Sequence, residues 1–175
     1  MDYKPELIEK ISKLEIFSDL DTGNESHVKL LKSVCELLEP VKFKAGEMII
    51  QEGDMGDSLY ILYEGKVQVK HKTLNNDQFA VANLSAEQNI FFGEVALVDM
   101  DKRTASVYAL TDCDTLRLNG TQFKKLCDRE PELGYHVMYR IAKRIAASLR
   151  GSNKDLMLLY EALIAEIHGE EDFSA

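Results

Sequence analysis

The sequence has no apolar run near the ~20 residues that a membrane-crossing helix needs, and its amino terminus, MDYKPELIEK, lacks the basic start and apolar centre of a secretory signal. Both absences point to a cytoplasmic protein with no membrane partner. Positive charge is also short, with 21 Lys and Arg against 30 Asp and Glu and a formal net charge of −9. Nucleic-acid binding depends on neutralising phosphates with Lys and Arg, so this balance argues against a nucleic-acid partner. It works equally against long-range steering of an anionic ligand, whose capture must then be local. The three cysteines, Cys35, Cys113 and Cys127, are scattered without metal-ligand or redox spacing and read as inert free thiols. His27, His71, His136 and His168 fall on separate predicted elements, which gives a metal cluster or a nucleophile–base pair no local support. No G-x-S-x-G, H-E-x-x-H or Walker-type loop occurs. The expectation is a binding protein and not an enzyme, with no metal and no cofactor.

What is present is a globular composition, 45% hydrophobic and 29% charged over 175 residues, with room for one domain and terminal helices. Leu7, Ile8, Ile11 and Leu14 predict a helix from Pro5 to Leu14. The turn-rich DTGNES precedes a second helix, His27 to Leu38, which Pro40 should end. Residues 1–40 thus read as an N-terminal helical bundle. From Val41 to Leu118 the period changes to that of strands. Val41 and Phe43 alternate with Lys42 and Lys44, Val67 and Val69 with Lys66 and Gln68, and Ala105, Val107 and Ala109 share a face. Gly46, Gly53, Gly56 and Gly65 read as hairpin turns, and Asn75-Asn76-Asp77 as another. Many short strands with Gly-rich turns imply a sandwich or barrel over residues 41–118.

Beyond this, residues 119–175 read as C-terminal helices. Asn119 or Thr121 should cap one reaching Cys127, and Pro131 should open another along Leu133, Val137, Ile141 and Ile145. Gly151-Ser152-Asn153 is the expected break before Leu156, Leu159, Tyr160 and Leu163, and GEEDFSA should fray. A helix-turn-helix unit with a basic recognition helix has no room after residue 150.

The stretch FGEVALVDMDKRTASV, Phe92 to Val107, carries the candidate chemistry. A short helix starting at Gly93 would present unpaired backbone N–H groups, and glycine lets a ligand approach that backbone closely. Arg103, nine residues after Glu94, would add a guanidinium. Together they suit a monoanionic phosphate, while the acceptor-only Glu94 suits a hydroxyl beside it, such as a ribose 2′-hydroxyl. Taken singly, Glu94 reads as a helix-dipole carboxylate and Arg103 as a surface cation paired with Asp99 or Asp101.

The pattern F-G-E-x-A-L followed by R-T-A-S-V resembles the phosphate-binding cassette of the cyclic nucleotide-binding domain family, found in cyclic-AMP-dependent protein kinase regulatory subunits, cyclic-nucleotide-gated channels and catabolite activators. The preceding FKAGEMIIQEGDMGDSLYILYEGKVQV, Phe43 to Val69, shares the resemblance. It implies a mainly β fold, an eight-stranded jelly roll (double-stranded β-helix) with N-terminal helices and C-terminal B/C-type helices. It also implies cyclic AMP or cyclic GMP as ligand, bound by Gly93, Glu94, Val95, Ala96, Arg103, Thr104 and Ala105, in a stand-alone regulatory domain. Capture would reposition the helices after Asn119, which would act as a lid or as the seam for a homodimer or a protein effector. The alternatives are a jelly-roll interaction module that has lost nucleotide binding and a sensor for another small acid. The chain departs from the family in Asn89 and Ile90, where glycine and an acid are usual, and in Lys102, where proline is frequent. Asn tolerates positive φ, whereas Lys102 gives up a fixed φ and leaves the loop less pre-organised. Thr104 would bond the 2-amino group of a syn guanine, yet threonine there also occurs in members that prefer cyclic AMP, the nucleotide favoured here.

Overall fold

The computed structural model describes residues 5–73, 77–99 and 101–171, with only the backbone for 168–171. The chain divides into two compact units, Met1–Met138 and Tyr139–Ala175.

The first unit begins with α1 (Pro5–Ser12), a 3₁₀ turn (Glu15–Phe17) and α2 (Glu25–Cys35). Asn24 caps α2 by accepting the Ser26 N–H, the bond expected from the DTGNES turn. Ile11, Leu14, Phe17, Leu31 and Val34 are fully buried among these elements. The predicted second helix runs too long, because α2 stops at Cys35 and both Leu38 and Pro40 belong to β1 (Leu38–Phe43). Proline pushes the residue before it into extended geometry, and β1 lies at a sheet edge, where a missing N–H leaves no partner wanting.

Seven further strands follow: β2 (Met48–Ile50), β3 (Ser58–Glu64), β4 (Lys66–Lys72), β5 (Gln78–Ser85), β6 (Phe91–Phe92), β7 (Ser106–Ala109) and β8 (Cys113–Asn119). They form two four-stranded antiparallel sheets in the orders β1-β8-β3-β6 and β2-β7-β4-β5. Register sets apolar residues opposite one another, Leu59 with Leu118 in one sheet and Val67 with Ala109 and Val69 with Val107 in the other. Ile50, Leu62, Val67, Phe92, Val107, Ala109 and Cys113, drawn from both sheets, make one buried cluster. Ala105 lies in the bend before β7 and is not part of the strand face it was expected to share. Gly46, Gly53 and Gly65 have positive φ, as their turns require, whereas Gly56 does not. Asn75 and Asn76 of the predicted turn lie outside the described residues; at its base the Thr73 N–H donates to the Asp77 carbonyl at 2.7 Å.

Asn119 caps α3 (Gly120–Arg129) by accepting the Gln122 N–H at 3.1 Å, and Pro131 opens α4 (Pro131–Glu171). Leu133 and Val137 bury the start of α4 in the first unit. The expected break at Gly151-Ser152-Asn153 does not form, so the second unit is one helix from Tyr139 to Glu171. An isolated helical glycine costs only about 1 kcal/mol against alanine, and the flanking Ala146, Ala147, Leu149, Lys154, Leu156 and Met157 are strong helix formers. Gly169 to Glu171 of the tail expected to fray are helical, and the remaining four residues lie outside the described region. Among the described residues no helix is long and apolar enough to cross a membrane.

Candidate functional site

Gly93 ends β6 and opens a single 3₁₀ turn, Glu94–Leu97, where the sequence predicts a short helix. Its φ of 78° lies in the left-handed region that glycine occupies without steric penalty. The Ala96 N–H is taken by the Gly93 carbonyl at 3.2 Å, so Glu94 and Val95 carry the amides that precede the turn's own ladder. Ala96 and Leu97 are buried and anchor the turn, whereas Val95 and Val98 face out.

Arg103 comes from the other side. Its backbone pairs with the loop after β2: the Gly53 N–H donates to Arg103 O at 2.9 Å, the Arg103 N–H to Asp54 O at 2.8 Å and the Gly56 N–H to Asp101 O at 3.1 Å. Met55 and Lys102 form an isolated antiparallel bridge within the same pairing. The loop expected to be less pre-organised for want of a proline is therefore held by strand-like pairing. The guanidinium then reaches Gly93, with Nη1 donating to Gly93 O at 3.2 Å and Nη2 to Ser58 O at 2.6 Å. These bonds occupy two of the five N–H groups of a guanidinium. Burial pulls the half-buried Arg103 below its ordinary pKa, while Tyr60, Asp57 and Glu94 act in the opposite direction; an arginine in this setting stays cationic. The guanidinium is hydrogen-bonded to these two carbonyls and not to Asp99 or Asp101.

The seat is completed by Gly56, whose place in GDMGDS predicts a hairpin turn. A Cβ added to Gly56 would overlap Nε and Cζ of Arg103, so Gly56 is small because the arginine lies on it and not because a turn demands it. A Cβ on Gly93 would come within 2.8 Å of Arg103 Nη1 and 3.1 Å of Ser58 O. Two glycines thus clamp one side chain. Behind them Tyr60 stacks on Phe92, with ring centroids 5.8 Å apart and planes inclined by 15°. The signal for Gly56 was present in GDMGDS, but it becomes readable only once Arg103 is known to return beside it.

Gly93, Glu94, Ala96 and Arg103 are brought together, with Val95 at the exposed rim. Thr104 is exposed in the bend before β7, and Ala105 is partly buried beside it. Asn89 adopts φ 50°, so it takes over the left-handed position that the family gives to glycine. The turn also touches α3: the Gly120 N–H donates to Asp57 O at 2.7 Å, and a Cβ on Gly120 would lie 2.5 Å from Ala96 O.

Two of the histidines, though on separate elements as predicted, meet in space. His27 of α2 and His136 of α4 have ring centroids 6.0 Å apart, and one ligand atom from each lies within 4.8 Å of the other and of a Glu132 oxygen. The Asp21 N–H donates to His27 Nδ1 at 2.9 Å, so a neutral ring carries its proton on Nε2, which faces Glu132 Oε1 at 3.4 Å. A metal at Nε2 would have to displace that proton and forfeit the Asp21 bond. The arrangement is a histidine–carboxylate contact tying α2 to α4. Of the free cysteines, Cys35 and Cys113 are buried, and burial pushes the Cys35 and Cys127 thiols up to about 11, in keeping with inert thiols.

The model of the cyclic nucleotide-binding domain family matches residues 40–130, just over half of the chain, and the chain belongs to that family. The family is one of regulatory nucleotide-binding modules and not of catalysts. The cAMP-dependent protein kinase regulatory subunit of Dictyostelium discoideum is 36% identical over 97 residues, covering 54% of this chain and 29% of the relative. The cGMP-dependent protein kinase, isozyme 1, of Drosophila melanogaster is 33% identical over 99 residues, covering 56% of this chain and 13% of the relative. The chain therefore spans less than a third of either relative. The Thermus thermophilus catabolite activator protein superposes with a TM-score of 0.70 at 26% identity, covering 83% of this chain and 62% of that one.

Proposed function

We propose that this chain is a regulatory module that binds cyclic AMP or cyclic GMP between the Gly93 turn and Arg103, and that it does no chemistry on the ligand. The single observation that carries the proposal is the guanidinium of Arg103, held half-buried over Gly56 and against the carbonyl of Gly93, with Glu94 close enough to act on its charge. A cyclic phosphate would take guanidinium N–H groups and the backbone amides of Glu94 and Val95, with Ala96 fixing the turn. Glu94 would accept the ribose 2′-hydroxyl, and Thr104 and Ala105 would border the purine. The two sheets are read as a jelly roll. The finer reading, in which capture repositions the C-terminal helices, begins at α3, because its first residue is seated on the Ala96 carbonyl.

Calorimetric titration with both nucleotides tests the proposal. Replacing Arg103 by Ala removes at least one charge-assisted hydrogen bond of ~1.5–3 kcal/mol, so affinity should fall on the order of ten- to a hundredfold with the fold retained. Equal affinity for wild type and Arg103→Ala would reject the phosphate site, and no binding by wild type would leave the interaction module as the reading. The reading of the second unit as an attachment face, for a second copy or a protein effector, rests on a separate observation. Leu156, Met157, Leu159, Tyr160, Leu163 and Ile167 are each more than half exposed there.

A further inference from the structure

Six of the exposed apolar residues of the second unit follow a rule together with Ser152, while Tyr139, Met157, Leu158, Leu159 and Ile164 lie off it. Ile145, Leu149, Ser152, Leu156, Tyr160, Leu163 and Ile167 are spaced 4, 3, 4, 4, 3, 4 along one continuous helix. This is an eleven-residue period, 3.67 residues per turn, which keeps them in one nearly straight stripe. It spans about 33 Å at 1.5 Å per residue. Apart from Ser152 the members are large and apolar, with exposures from 45% at Ile145 to 66% at Leu156. An apolar stripe of this width on a helix is built to face another surface.

Charge identifies the occupant. From Arg140 to Lys154 the helix carries Arg140, Lys143, Arg144, Arg150 and Lys154 and no acid. From Asp155 to Glu166 it carries Asp155, Glu161 and Glu166 and no Lys or Arg. The stripe also reads the same in both directions about Leu156, since 145 and 167, 149 and 163, and 152 and 160 are equidistant from it. A helix with a palindromic stripe, one basic half and one acidic half complements itself when turned end for end. Side-by-side pairing in the same direction would instead set the basic half on the basic half.

We propose that residues 145–167 form an antiparallel pair with the same segment of a second copy, related by a two-fold axis at Leu156. Arg150 and Glu161, one eleven-residue period apart, lie on the same flank of the stripe, and Arg144 and Glu166, two periods apart, lie on the other. In an antiparallel two-fold pair like flanks face each other. Position 150 is then level with position 162 of the second copy, one residue or about 1.5 Å from Glu161. Charges flanking an apolar seam set the direction of pairing in this way. The proposal deepens the attachment-face reading and is independent of nucleotide binding.

Single cysteines in the full chain, in a Cys127→Ser background, test it under mild oxidation. Leu156→Cys alone should give a disulfide-linked dimer. Ile145→Cys and Ile167→Cys should each stay unlinked alone, and a mixture of the two should yield the linked product. Self-linking of Ile145→Cys and of Ile167→Cys would show parallel pairing and overturn the proposal, as would absence of the mixed product. Arg150→Glu and Glu161→Arg should each weaken the dimer severalfold in sedimentation, and the double exchange should restore it; failure of the double to recover would also overturn the assignment of this pair. Loss of nucleotide binding with the cross-linking pattern intact would count against the nucleotide reading alone.

Discussion

Gly93 in the turn and Gly151 in the helix from Tyr139 to Glu171 have opposite standing. Around Gly93 there is no room: Arg103 Nη1, Ser58 O and Ile50 Cδ1 lie within contact of any added Cβ, and the backbone holds a conformation open to few residues other than glycine. A Cβ added to Gly151 would meet nothing within 4 Å beyond its own stretch of helix, and the helix continues through it. In the loop, geometry is set by distant segments closing on one another. In the helix it is set by propensity and by the ladder of i to i−4 hydrogen bonds. The same residue type therefore specifies a site in one place and is merely tolerated in the other.

Substitutions can break or sharpen this contrast. The largest effect should come from Gly56→Ala, whose new methyl would occupy the place of Arg103 Nε and Cζ and push the guanidinium off its seat. Nucleotide affinity should fall about as far as in Arg103→Ala, on the order of ten- to a hundredfold, which titration would measure. Undiminished affinity would show that the seat is not needed. Thr104→Ala comes next. If its hydroxyl reads guanine, cyclic GMP should lose about 1 kcal/mol, roughly fivefold, with cyclic AMP unchanged, and a loss confined to cyclic AMP would reverse the assignment. The smallest effect belongs to Gly151→Ala, which should stabilise the helix by roughly 0.5–1 kcal/mol in chemical denaturation and leave nucleotide affinity alone. Destabilisation there would mean that Gly151 has a packing role.

Local chemistry was legible in the sequence wherever one residue decides an outcome. Asn119 capping α3, Pro131 opening α4, the positive φ of Gly46, Gly53 and Gly65, and the left-handed Asn89 all followed from residue type. The strand alternation of Val67 and Val69 is a nearest-neighbour pattern and survived as strand β4. Pro40 was misread because a helix stop and an edge strand begin with the same signal, and only sheet order tells them apart. Gly56, Ser58 and the His27–His136 contact escaped for a different reason. Each is defined by a partner 45 or more residues away in the chain, and no periodicity carries that information.

Gly120 carries a mechanical implication. Its amide is hydrogen-bonded to the Asp57 carbonyl, and its α-carbon rests on the carbonyl of Ala96, so main chain touches main chain on both sides. A contact made by long side chains is compliant, because rotamers can readjust and absorb a small displacement. This one has no rotamer to turn. If the Ala96 carbonyl moves, either Gly120 travels with it or the bond to Asp57 stretches, so the joint between the turn and α3 behaves as a stiff coupling and not as a spring.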